Sequence, residues 1–158
     1  MNFTVAIATI ALILHTIAAV VWVGGMFFAL FVLRPATAAL EPGPRLDLWL
    51  LVFDRFFTWV FAAIVLLLVS GYAMIFGVYA GFSGIGLHIN IMQATGIIMM
   101  LLFFHLYFVP WRRFRAAVAR RDQAAAATQL AQIRTIVVVN LLLGLLTVAV
   151  GSSGRYWG

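Results

Sequence analysis

Cysteine is absent from the chain, which removes disulfides, thiolate metal sites and iron–sulfur clusters and leaves the redox compartment open. Lysine is absent as well, so all ten basic residues are arginine. Carboxylates are scarce: Glu41, Asp47, Asp54 and Asp122 are the whole set. No Ser/His/Asp set, carboxylate pair or phosphate-binding loop can be assembled from what remains, so soluble-style hydrolytic chemistry has no residues to run on. Charged residues of both signs make up 9% of the chain, against about 25% in a soluble domain.

Hydrocarbon is what the chain has in excess. Of 158 residues, 66% are hydrophobic, and the mean hydropathy is +1.15. A chain this short has no core large enough to bury that excess, so it must face lipid. The net charge of +6 invites a nucleic-acid partner. The arginines concentrate beside apolar helices, however, where such clusters set membrane topology, and nucleic acid is not an expected partner.

Four apolar stretches span residues 3–33, 56–80, 87–110 and, extended backwards through an Ala-rich run capped by Asp122, 123–151. Each reaches the roughly 20 residues that a bilayer crossing requires. They predict an all-α fold, a four-helix transmembrane bundle forming a single domain over residues 1–158. The first stretch has no basic leader and no small-x-small cleavage site, and its run is too long for a signal peptide, so it reads as a retained helix. Arg34 and Pro35 are expected to end helix one. Residues 45–55, with Leu46, Trp49, Leu50 and Phe53 on one side, read as a short amphipathic segment lying in the interface. Asp47 and Asp54 there read as solvated or paired with Arg45 and Arg55.

Polar side chains inside a bilayer are functional candidates by default. His15 sits deep in the first run with no carboxylate nearby in sequence. It reads either as a structural histidine bonded to a facing backbone carbonyl or to Asn140, or as a neutral imidazole ligating a metal or heme iron. With Arg34 and Arg112 as boundary markers and about 1.5 Å per residue, His15 lies about 28 Å above that boundary. On the same scale Met92 lies at about 30 Å, His88 at about 36 Å and His105 at about 10 Å. Centring each run on the bilayer instead brings His105 about as close to His15 as His88. The cofactor-binding set is therefore His15 with His88, Met92 or His105. Met92, Met99 and Met100 read either as a soft Cu(I) ladder or as filler between helices. Gly24, Gly25, Ser70, Gly71, Gly96 and Gly144 permit close helix approach or leave room for a macrocycle. No catalytic residue is assigned.

The segment running from His15 through Trp22, Gly24 and Gly25 to Arg34 and Pro35 resembles the first helix of the copper-resistance D (CopD) membrane family. Met92 and His105 followed by Pro110, Trp111, Arg112 and Arg113 are similar to its third helix, and Arg134, Asn140, Gly144 and Thr147 to its fourth. The His15-to-Trp22 spacing is also similar to that of HemJ, the membrane protoporphyrinogen oxidase. The chain departs from that pattern at Phe28, Ala29, Leu30 and Asn90, which points away from that activity. The resemblance implies an inner-membrane bundle of bacterial type, histidine-dependent, associated with b-type heme or with copper. Heme b with electron transfer or a small oxidoreductase activity is the first expectation, and CopD-like copper transport or resistance the alternative. Quinone or another membrane redox partner would follow from the first, and oligomeric state is open, a homodimer included.

The connections fix an orientation. Arg112, Arg113, Arg115, Arg120 and Arg121 lie in the third connection, whereas residues 79–86 of the second carry three glycines and no charge. By the positive-inside rule the third connection is cytoplasmic and both termini are periplasmic, with Arg155 a single opposing charge. A reporter fused after Gly158 should therefore be active only in the periplasm, and activity confined to the cytoplasm would overturn the orientation.

Overall fold

The computed structural model describes residues 3–79 and 81–157. Four helical rods, Val5–Thr37, Pro42–Gly77, Leu87–Ala119 and Gln123–Ser153, are each long and apolar enough to cross a membrane. Among the described residues there is no strand. The fold is an all-α four-helix transmembrane bundle, as expected. Ala80, the expected last residue of helix two, lies outside the described residues.

Rod one is α1 (Phe3–Phe28), a π turn (Ala29–Leu33) and α2 (Arg34–Thr37). Rod three is α4 (Leu87–Leu106), a second π turn (Tyr107–Trp111) and α5 (Arg112–Ala119). Each π turn comes with a proline: Pro35 two residues after the first, Pro110 inside the second. Proline has no N–H and its ring presses on the carbonyl four residues back, so widening the turn lets the helix continue. Neither helix therefore ends where its proline suggests.

The amphipathic stretch at 45–55 is continuous with helix two and not a separate segment. It forms the opening turns of α3, which runs unbroken over Pro42–Gly77. Pro42 stands at the first position with Glu41 extended before it, a favourable start because its missing N–H would have had no helical partner. Leu46, Trp49 and Phe53 are buried against the bundle. With 36 residues, α3 extends about 54 Å, well beyond roughly 30 Å of hydrocarbon, so its arginine-bearing end stands clear of the lipid. A left-handed Arg121 (φ 57°) turns the chain from α5 into α6 (Gln123–Ser153), whose first turn is capped by Asp122 accepting from the Ala125 N–H at 3.0 Å.

The rods alternate in direction. α1 packs on α3 and α6, and α4 and α5 pack on α6. The two ends are filled differently. Towards the arginines the interior is a block of rings: Phe53 stacks on Phe57 at 5.2 Å, and Trp111 meets Phe57 edge-on at 5.3 Å. Phe61 meets Phe103 at 5.0 Å and Tyr107 at 4.9 Å. Arg115 lies over the Trp111 ring at 5.8 Å. Towards the termini rings give way to small residues and the bundle opens. Outward-facing Val20, Val69, Leu101 and Leu142, one from each rod, are 62–66% exposed, an apolar girdle that only lipid can cover.

The ring block makes a stability prediction. Trp111→Ala empties a fully buried site and should lower unfolding stability in detergent by about 3–5 kcal/mol. Phe108→Ala, on the same π turn but 56% exposed, should change it by about 0.5 kcal/mol or less. Equal losses in a thermal or denaturant titration would show that the ring block does not hold this end together.

Candidate functional site

The open half of the bundle contains a cavity of about 480 Å³ lined by all four rods. Small residues on one face of α6 shape it. A Cβ placed on Gly144 would lie 3.2 Å from the Met99 methyl, and one on Gly151 would lie 2.8 Å from the Met92 methyl and 3.1 Å from its sulfur. The Gly151 notch takes Met92 of α4, while the Gly144 notch takes Val23 of α1 at 2.8 Å with Met99 beside it. Between them Thr147 meets Thr95 of α4, hydroxyl to hydroxyl, at 2.7 Å. On the α3 side, the Gln93 amide donates to the Tyr72 hydroxyl at 3.3 Å.

His15 reaches the cavity from α1. Its Nδ1 lies 2.9 Å from the Ser70 hydroxyl on α3. Ser70 has one hydroxyl proton, and gives it to the Leu66 carbonyl of its own helix. With its proton on that carbonyl the serine oxygen is an acceptor, an arrangement that favours the His15 tautomer with the proton on Nδ1. In that tautomer Nε2 carries the lone pair, the form in which an imidazole binds a metal while its other nitrogen is held by a neighbour. Gly71 makes the approach feasible, since a Cβ there would sit 3.3 Å from His15 Cε1. The sequence pointed to Asn140 or a backbone carbonyl as the partner of His15, and the Leu67 carbonyl of α3 is such a partner beside Ser70. Asn140 instead donates to the Met99 carbonyl at 3.1 Å, and its buried Oδ1 has no partner.

The other histidines differ. His88, half-buried in the first turn of α4, lines the same cavity near its mouth. It packs on Gly154 and sits edge-on to Trp157, ring centres 6.4 Å apart. His105 takes no part in the cavity. It is exposed on the face shared by Leu101 and Phe108, towards lipid, while Phe103 and Leu106 take the inward positions. Centring the apolar runs brings His105 to a comparable height but leaves it on the wrong side of its helix.

Met74, Met92, Met99 and Met100 all line the cavity, four of the six methionines in the chain. Met74 escaped sequence reasoning because it stands in an unbroken apolar run. Its signal was its place four residues after Ser70, on the same helix face. No aspartate or glutamate lines the cavity. Among the described residues, no three of His, Asp and Glu come together as a metal site. Beside neutral hydroxyls and the Gln93 amide, the donors that the lining offers a metal are thioethers and imidazoles. Trp22, buried and edge-on to Phe103 at 6.3 Å, forms the floor and separates the cavity from the ring block.

The tautomer of His15 is directly testable. Nitrogen NMR of the histidine-labelled protein near neutral pH should show His15 protonated at Nδ1, and Ser70→Ala should release that preference. A wild-type spectrum with the proton on Nε2 would refute the hydrogen-bond assignment.

A family model described as copper resistance protein D matches residues 50–153, about two thirds of the chain. The matched stretch begins within α3 and ends at the last residue of α6, so α1 with His15 lies outside it. No curated protein and no solved structure matches the chain. The HemJ resemblance gains no support from these matches.

Proposed function

The chain belongs to the copper resistance protein D family, and on that premise we propose that it is a copper-handling membrane protein whose terminal-side cavity takes Cu(I) as cargo. The observation that carries the reading is the donor set: an imidazole held through Nδ1 by Ser70 lines a cavity together with four methionines. Thioether and imidazole are soft ligands of the kind Cu(I) prefers. The absence of carboxylates from the lining strengthens the choice. The cost of desolvating an ion rises with the square of its charge, so a neutral site tolerates a monovalent ion far better than Zn²⁺ or Cu²⁺.

The heme b reading, with its electron-transfer or oxidoreductase activity and quinone-type partner, draws nothing from the family match, and His105, one of its axial candidates, faces lipid. The balance moves to copper. With the arginine-rich connection placed in the cytoplasm of a bacterial-type inner membrane, the cavity opens on the periplasmic side. Trp22 and the rings below it close the way onward, which suits a site loaded and unloaded from one face. In this role His15 supplies the anchoring nitrogen, Ser70 orients it, and Met92 and Met100, both half-buried, supply exchangeable sulfur.

Competition of the purified protein against a chromophoric Cu(I) chelator tests this. Ser70→Ala should weaken Cu(I) binding by about 10–100-fold and His15→Ala by at least as much. The double variant Met92→Leu, Met100→Leu should also weaken it, while His105→Ala leaves it unchanged. Unaltered Cu(I) affinity in both His15→Ala and the double methionine variant would overturn the reading. A purified protein with a Soret band that His15→Ala abolishes would return the assignment to heme.

A further inference from the structure

The arginine-bearing end holds a second cavity, of about 350 Å³, between the end of rod one and the opening turns of α3 and α6. Its wall is apolar where Trp49, Phe53 and Ile133 are buried. It also carries Arg34, Arg45 and Arg134, from rods one, two and four, and no carboxylate lines it. Among the described residues none of the three guanidinium groups has a carboxylate partner. Asp122, the nearest acidic residue in sequence to α6, is engaged in capping that helix. Three like charges around one space repel one another until an anion enters.

The depth of the site says which anion fits. Arg34 directly follows the first apolar run and Arg134 directly precedes the uncharged part of the last, residues 135–151, so these two arginines stand at the hydrocarbon boundary. Pro42 and Gln123, the first residues of α3 and α6, also line it and bring two positive helix ends to the same place. We infer that this cavity binds a phosphate group carried by an anionic amphiphile, with the phosphate against the arginines and hydrocarbon against the apolar wall. The planar, fork-shaped donors of arginine suit phosphate oxygens, and basic pockets between membrane helices are where acidic headgroups lodge. The site is separate from the copper reading and does not depend on it.

Native mass spectrometry of the full-length protein in detergent, titrated with phosphatidylglycerol or phosphatidylcholine, tests the inference. Phosphatidylglycerol should be retained in preference to phosphatidylcholine. Arg34→Gln, Arg45→Gln and Arg134→Gln combined should weaken its retention by about 100-fold, the effect expected of three arginines at a membrane surface. Arg113→Gln, outside the cavity, should not. Should the triple variant fail to fold, Ala131→Phe, which fills the space without changing charge, should displace the lipid in its place. Displacement of bound phosphatidylglycerol by millimolar inorganic phosphate would support the same phosphate site while assigning it to a soluble source. Equal retention of both lipids by the wild type, or undiminished phosphatidylglycerol retention in a folded triple variant or in Ala131→Phe, overturns it.

Discussion

Lipid offers no hydrogen bonds, and most of this structure follows from that. Every backbone N–H and C=O within the hydrocarbon must be satisfied inside its own helix. The rods therefore stay continuous even past Pro35 and Pro110, where in water a break would be cheaper. Hydroxyls obey the same rule. Thr9, Thr16 and Thr135 each donate to the carbonyl four residues back, and Thr147 does so while also meeting Thr95. Against so complete a pairing, the polar atoms left over stand out. Among the described residues, the buried Gln129 Oε1 and Asn140 Oδ1 are two such atoms.

The same solvent removes the hydrophobic drive between helices, so contact quality must hold the bundle together. One half supplies it with interlocking rings; the other uses glycine notches and hydroxyl pairs across narrow gaps. Rings fill space, whereas notches leave it, and the cavity with His15 occurs in the second half. Stability and binding are thus assigned to opposite ends of the same four rods.

How much of this was legible in the sequence depends on which coordinate was needed. Number and length of rods follow from apolar run length, and the direction of alternation follows from where the arginines fall. Height along a rod also follows, at about 1.5 Å per residue. Rotation about the rod does not, because α4 is apolar on every side and gives no face preference. His105 and His15 could be compared in height but not in facing, and only packing shows Phe103 and Leu106 inside with His105 outside. Residues 45–55 were ambiguous for a related reason. An amphipathic stripe looks the same whether it lies on a membrane or against other helices, and here the stripe of Leu46, Trp49 and Phe53 found helices. The role of Ser70 was hidden because it depends on a partner 55 positions away.

The π turns at Ala29–Leu33 and Tyr107–Trp111 have a consequence for how such chains diverge. A π turn holds one residue more than an α turn across the same rise, so it is the place where a membrane helix can gain or lose a single residue without shifting the rest along its axis. Because a π turn and an α turn each close one full circle, the facing of everything beyond the turn is kept as well. In rod one that is Arg34 and Thr37, and in rod three the whole arginine-bearing α5. Related chains that differ by a one-residue gap in these turns would keep the same membrane thickness, the same cavity and the same direction of their cationic face, the change being confined to the turn itself.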